Sequence, residues 1–158
     1  MMGARHPSCD AVDAALAAAD VPGRVRILPD AAPTAQAAAD QLGCPVGAIA
    51  NSLIFTTGDG EPLLIMTSGA HRVDTALLGQ ALGTTVKRAS ADAARQATGQ
   101  PIGGVAPVAH PAPLRTLVDR DLAAYDELWA AGGIPHAVFP ISFDDLVRIT
   151  SGTVVSVA

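Results

Sequence analysis

Two apolar, β-branched runs separated by four turn residues form the clearest pattern in the chain. Residues 49–57 and 62–67 carry Ile49, Leu53, Ile54 and Phe55, then Leu63, Leu64, Ile65 and Met66, with Gly58-Asp59-Gly60-Glu61 between them. Apolar runs joined by a glycine-bearing turn predict a β-hairpin. Helical patterns surround it. Residues 11–19 are helical in composition, with Ser8 or Asp10 as N-cap. Residues 33–42 open on Pro33-Thr34 and stop at Gly43, and their apolar content is mostly alanine, which predicts close packing on a neighbour. Residues 74–82 start at Asp74 and end before Gly83, and residues 90–98 start at Ser90 and end before Gly99. A last helix begins over 142–146, with Ser142 as N-cap and Asp145 at the capping-box position. Short strands are expected at 25–28, 84–88, 115–119, 128–131 and 136–140. Helices mixed with strands, one antiparallel hairpin and no regular strand–helix–strand alternation predict a single mixed α/β (α+β) domain over residues 1–158. Its core would be a curled, barrel-like mixed sheet.

Composition narrows the class. Of 158 residues, 49% are hydrophobic and 16% charged, so material for a core is ample and disorder is excluded. No apolar run approaches the roughly 20 residues of a membrane-spanning helix, and Met1 to Pro7 lacks the apolar region of a secretory signal. Cys9 and Cys44 are too few for a disulfide scaffold, which predicts a cytoplasmic protein with free thiols. Net charge is -5, and of the 10 basic residues only Lys87 is a lysine. That balance argues against a protein that coats DNA or RNA, but leaves room for a local patch holding one phosphate or one RNA end. The alanine richness reads as coding bias rather than function.

Candidate chemistry is sparse. The run Thr98-Gly99-Gln100-Pro101-Ile102-Gly103-Gly104-Val105-Ala106-Pro107 brings backbone N–H groups where a ligand can approach them closely. It has neither the Gly-Lys-Ser/Thr of a nucleotide P-loop nor the spacing of a dinucleotide fingerprint. An anion-binding loop and a merely rigid connection both fit it. Asn51-Ser52 sits inside an apolar strand, where each polar group needs a partner. Period two puts the two side chains on opposite faces, so one of them can line a pocket, or both can be satisfied within the sheet. His6, His71, His110 and His136 show no metal-ligand spacing among themselves or with cysteine. His136 reads as an acid/base, a positioner or a structural residue. Cys44 follows a helix C-terminus, where the dipole disfavours a thiolate. Cys9 has the better field but belongs to a terminal segment expected to be mobile. Trp129 and Phe139 read as core rather than stacking platforms.

Taken in order, several blocks resemble the YbaK/EbsC family, also known as the prolyl-tRNA synthetase-associated or editing domain. They are Cys44 through Phe55, Leu63 through Gly69, His71-Arg72-Val73-Asp74, Ala89 through Gly99, Gly103 through Pro107, Leu117-Val118-Asp119, and Ala130-Ala131-Gly132 leading to His136. The resemblance covers residues 25–150. It implies hydrolysis, in trans, of the ester joining a wrong amino acid to the 3′-terminal adenosine of a tRNA, often a prolyl tRNA. It implies the tRNA 3′ end as partner, prolyl-tRNA synthetase as a second partner, and neither metal nor other cofactor, DNA nor membrane.

The family's Gly-x-x-x-Pro loop maps onto Gly103 to Pro107. The resemblance implies Gly103, Gly104, Asn51 and His136 as the catalytic set. Ser52, Ser68, Gly69, Arg72, Val105, Ala106 and Pro107 would bind substrate. The terminal ribose hydroxyl or the amino acid's side chain can assist the attack, so no protein nucleophile is required. One departure stands out: the family carries a lysine at the position of Asn51, and an amide supplies no charge. Three readings follow: Asn51 serves as an orienter, Arg72 or His136 compensates, or the chain retains binding without catalysis. Retained deacylation is the favoured reading.

Overall fold

The computed structural model describes residues 6–100 and 104–158. The expected hairpin is formed by β2 (Ile49–Thr57) and β3 (Pro62–Ser68), paired from Ala50↔Ser68 to Thr56↔Pro62. Gly60 turns the corner at φ 82, where an L side chain would be strained. Around the hairpin lie β1 (Arg26–Ile27), β4 (Val86–Arg88), β5 (Arg115–Asp119), β6 (Leu128–Ala131), β7 (Ala137–Ile141) and β8 (Thr153–Val155). They build one mixed sheet in the order β1-β7-β6-β2-β3-β5-β8, with β4 pairing β2 outside that path. The sheet is open, with β1 and β8 as its ends, rather than a closed barrel.

The helices are α1 (Pro7–Ala18), α2 (Ala35–Leu42), α3 (Thr75–Leu82), α4 (Ala91–Thr98) and α5 (Phe143–Thr150). Thr34, Asp74, Ser90 and Ser142 each accept the amide of the third residue onward, closing an otherwise orphan donor. Gly43, Gly83 and Gly99 end α2, α3 and α4 in the left-handed conformation. α1 starts earlier than its composition predicts. Pro7 fits its first turn, and His6 Nδ1 accepts the Ser8 amide at 3.1 Å. Cys9, expected in a mobile end, is instead fully buried in the core with Val12 and Leu16.

Strand alternation sorts the core into two faces. One face of the sheet presents Ala50, Ile54, Leu64, Met66 and Phe139 to α1, α4, α5 and to Val105 and Ala106. The opposite face sets Phe55, Leu63 and Ile65 against Leu78 of α3. Farther along it, Ile49, Trp129 and Val138 pack on Ala38 and Ala39 of alanine-rich α2. Leu63 to Met66 are 0% exposed, because β3 is covered on both faces. Burial of each such side chain contributes about 1.5–3 kcal/mol.

Candidate active site

β2 is incompletely paired. β3 occupies one edge of it from Ala50 to Thr56. On the other edge, β6 pairs in parallel with Ile49 and Ala50 only, and β4 pairs antiparallel with Phe55 to Thr57 only. Among the described residues, 51–54 have no strand partner on that side. A cavity of about 330 Å³ lies in this gap. Asn51, Ser52, Leu53 and Ile54 line it in succession. Neighbouring side chains point to opposite faces, so a wall made of consecutive residues is the edge of the strand, backbone included.

α2 contributes Ala35 and Ala38 and its N-cap Thr34 to the wall, and β6 contributes Trp129, Ala130 and Ala131. Arg88, the last residue of β4, and Ala89 after it bound the end at which β4 meets β2, while Ala94, Val105 and Pro135 line the cavity from α4 and the loops. Small side chains dominate, which is what keeps the space open. Arg88 is the one charged residue among the described lining residues, which include no carboxylate, imidazole or thiol. Its guanidinium lies 5.5 Å from the centroid of the Phe55 ring, and that of Arg26 lies 5.0 Å from the centroid of Trp129. Each contact orients the cation by attraction to the ring face.

The glycine-rich loop reaches the cavity through Val105. Gly104 is buried and packs so tightly on Ile134 and Pro135 that a Cβ there would overlap their backbone. Its carbonyl accepts the Gly133 amide at 2.9 Å. Farther along, the Ala106 amide donates to Gln100 Oε1 at 2.7 Å, and His110 Nε2 donates to the Ala106 carbonyl at 2.7 Å. Burial holds the His110 pKa below its ordinary 6.5, partly opposed by that bond, so the ring is neutral at pH 7. Ala106 thus has no amide to offer a ligand, and Pro107 has none by nature. Gly104 and Val105 are the described loop amides not taken by a described partner.

Of the residues singled out from sequence, the structure brings Asn51, Ser52 and Val105 together at the cavity. Gly103 lies outside the described residues. Gly104 packs against Pro135, a residue of the cavity wall, and Ala106 and Pro107 are buried without lining the cavity. His136, Ser68, Gly69 and Arg72 are not among the described lining residues. His136 precedes β7 rather than starting it, and its carbonyl accepts the Leu28 amide at 2.8 Å. The Ser68 hydroxyl donates to the Gly47 carbonyl at 2.8 Å, and Gly69 fits where a side chain would meet Val46 and Ala35. Arg72 is exposed. Trp129 is core, as expected, and also cavity wall.

Arg88 was not singled out from sequence. It follows Lys87 at the end of a short strand, and its place depends on the pairing of β4 with β2. Away from the cavity, His71 bridges buried Asp119 (Nδ1 to Oδ2, 2.8 Å) and exposed Asp121 (Nε2 to Oδ2, 3.1 Å). Asp119 also accepts the amides of Ser68 and Asp121, both at 3.0 Å, tying β3 to β5. Cys44 is half-buried, and desolvation first, then the charge of Glu127, push its thiol up from the ordinary value. That agrees with an unreactive thiol.

No curated protein matches the chain. Among solved structures, one described as "a putative trans-editing enzyme for prolyl tRNA synthetase" is 36% identical at a TM-score of 0.91, over 97% of this chain and 98% of that one. A scaffold protein from work on epitope backbone grafting by computational design is 35% identical at a TM-score of 0.90, over 96% and 97%. The hypothetical protein APE2540 is 28% identical at 0.85, over 93% and 98%. The model of the aminoacyl-tRNA editing domain matches residues 29–149. With its fold and most of its length accounted for in this way, the chain belongs to the aminoacyl-tRNA editing domain family and is an aminoacyl-tRNA deacylase.

Proposed function

We propose that the cavity beside β2 receives the 3′ end of a mischarged prolyl tRNA and that its ester is hydrolysed there, in trans to the synthetase that made it. The observation that carries this reading is the convergence of Asn51, Ser52, Val105 and Arg88 on one cavity of about 330 Å³, within the usual range for small-ligand sites. The similarity to a structure described as a trans-editing enzyme for prolyl tRNA synthetase supports the choice of tRNA and of the synthetase as partner.

In the reaction, a water oxygen bonds to the acyl carbon, the carbon–ribose oxygen bond breaks, and a proton passes from the water to the leaving ribose oxygen. Free amino acid and a tRNA with an intact terminal hydroxyl result. The described cavity wall offers no general base. The neighbouring ribose hydroxyl therefore relays the proton, and the protein's part is to position and to stabilise charge. We assign to the loop amides of Gly104 and Val105, which no described partner takes, the stabilisation of a developing oxyanion, the kind of stabilisation that contributes most to acyl transfer. Arg88 supplies the positive charge that Asn51 lacks. Asn51 orients the ribose or the carbonyl through its amide.

A net charge of -5 suits a protein that holds one RNA end rather than a length of helix. The site of action is the cytoplasm, where charged tRNA is used. No helix among the described residues is long and apolar enough to cross a membrane. The test is release of amino acid from prolyl tRNA mischarged with alanine, cysteine, serine or threonine. Turnover of at least one above the spontaneous rate is expected. Binding without hydrolysis across all four would replace this reading with that of a tRNA-holding module.

A further inference from the structure

The open edge of β2 is itself a set of hydrogen-bonding groups. A strand residue sends its N–H and C=O to the same side, and its neighbours send theirs to the other. Ile49 faces the β3 side, its carbonyl accepting the Gly69 amide at 2.7 Å, and Ile54 faces the β4 side, its carbonyl accepting the Ala89 amide at 3.0 Å. Ser52, two residues before Ile54, therefore turns its N–H and C=O toward the gap. It does so where β6 has ended and β4 has not begun, and where the cavity lies. Its hydroxyl is directed to the Met66 sulfur at 3.3 Å on one face of the sheet, so it does not occupy the edge. Backbone polar groups inside a protein are almost always paired, and here the space beside them is ligand-sized.

We propose that the Ser52 backbone is the subsite for the α-amino-acid portion of the substrate. The α-amino group donates to the Ser52 carbonyl, and the acyl carbonyl accepts from the Ser52 N–H, as a one-residue extension of the sheet. This rests on the reading that the aminoacyl end enters the cavity beside β2. Such a bridge recognises what all α-amino acids share. It also fixes the face to which the ligand's side chain projects, since a β-paired residue stands its side chain to one side of the sheet. Discrimination among amino acids is then left to the small residues of the wall, Ala38, Ala89, Ala94 and Ala130 among them.

The test is an amide-resolved NMR titration of the full chain with 3′-deoxy-3′-(L-alanylamino)adenosine, which cannot be hydrolysed as an ester. The Ser52 amide signal is expected to shift, and its hydrogen exchange to slow by roughly threefold to tenfold, the span of one net hydrogen bond. The propionylamino analogue, which lacks the α-amino group, is expected to bind about tenfold more weakly. If the Ala89 and Ala130 signals move while that of Ser52 does not, or if both analogues bind equally, the proposal is overturned and the cavity keeps its assignment. If no cavity signal moves with either analogue, the assignment of the cavity fails and the subsite fails with it.

Discussion

Gln100 and Ala106 are joined by a 2.7 Å hydrogen bond from the Ala106 amide to the Gln100 side-chain oxygen. The same side chain donates to the carbonyls of Val108 at 3.0 Å and Ala109 at 3.3 Å, so one amide group braces the loop at three points. Ala109 is held at φ 66, a conformation an alanine rarely adopts. Gln100 is 4% exposed, which makes the brace internal and keeps water from replacing it.

Gln100→Met keeps the volume and removes all three bonds. It leaves the Ala106 amide buried and unpaired, at a cost of about 1–3 kcal/mol. A lower melting temperature is expected. A fall in the single-turnover deacylation rate is expected with it, because Val105 adjoins Ala106 and lines the cavity. A variant that melts as the wild type does would show that the brace is dispensable.

Gly104→Ala tests the loop from the other side. The added Cβ would overlap the backbone of Ile134 and Pro135, and backbone cannot swing aside as a flexible side chain can. The loop or the Pro135 wall must shift, so turnover is expected to collapse. Gly43→Ala is the comparison. It has a left-handed φ of 69 but open space around it, so it should cost about 1–2 kcal/mol and leave the rate unchanged. Equal rates in both variants would remove close packing at Gly104 from the mechanism.

The local parts of this fold were written locally. Capping residues at 34, 74, 90 and 142, stop glycines at 43, 83 and 99, and the hairpin around Gly58 to Glu61 each depend on a few neighbouring residues, and each reads directly. β8 did not, because Thr153-Val154-Val155 is short and acquires its identity only from parallel pairing with β5. The cavity was illegible for the same reason. It exists because β6 stops at one register of β2 and β4 starts at another, and no local pattern encodes that interval. Asn51 and Ser52 signalled it as polar residues in an apolar strand. Arg88 gave no signal, since an arginine ending a short strand is commonplace. Ser68 and Gly69 lay in a recognisable block, yet the structure shows them fastening β3 to the segment around Gly47.

His110 gives the stability curve an acid limb. Its pKa is lowered from 6.5 by burial, so below that value the unfolded chain takes up a proton that the folded chain refuses. Stability is full above the ordinary value and falls as pH drops through it, levelling off once the folded ring also protonates. His110→Gln retains an N–H donor for the Ala106 carbonyl and cannot titrate. Urea unfolding across pH 5 to 8, the interval in which histidine titrates, is expected to show a shallower loss for the variant below 6.5. Parallel curves would assign the acid limb to other groups.

Asn51 and Arg88 line one cavity, and Asn51 stands where the resemblance to the editing family implies a lysine. If Arg88 supplies the missing charge, Arg88→Ala should lower kcat/KM by about tenfold or more, the worth of a hydrogen bond to a charged group. Asn51→Lys introduced into that variant should restore much of the loss, because it returns a cation to the same space. In the wild-type background Asn51→Lys should bring little or no gain, since two cations would then compete within one cavity and repel each other. Measured as a double-mutant cycle, the two changes should be strongly non-additive, as expected of residues serving one ligand. Additive effects would mean that the two side chains act on different parts of the substrate. Arg88 would then be a contact to the tRNA backbone, and the salt dependence of KM would weaken on its removal.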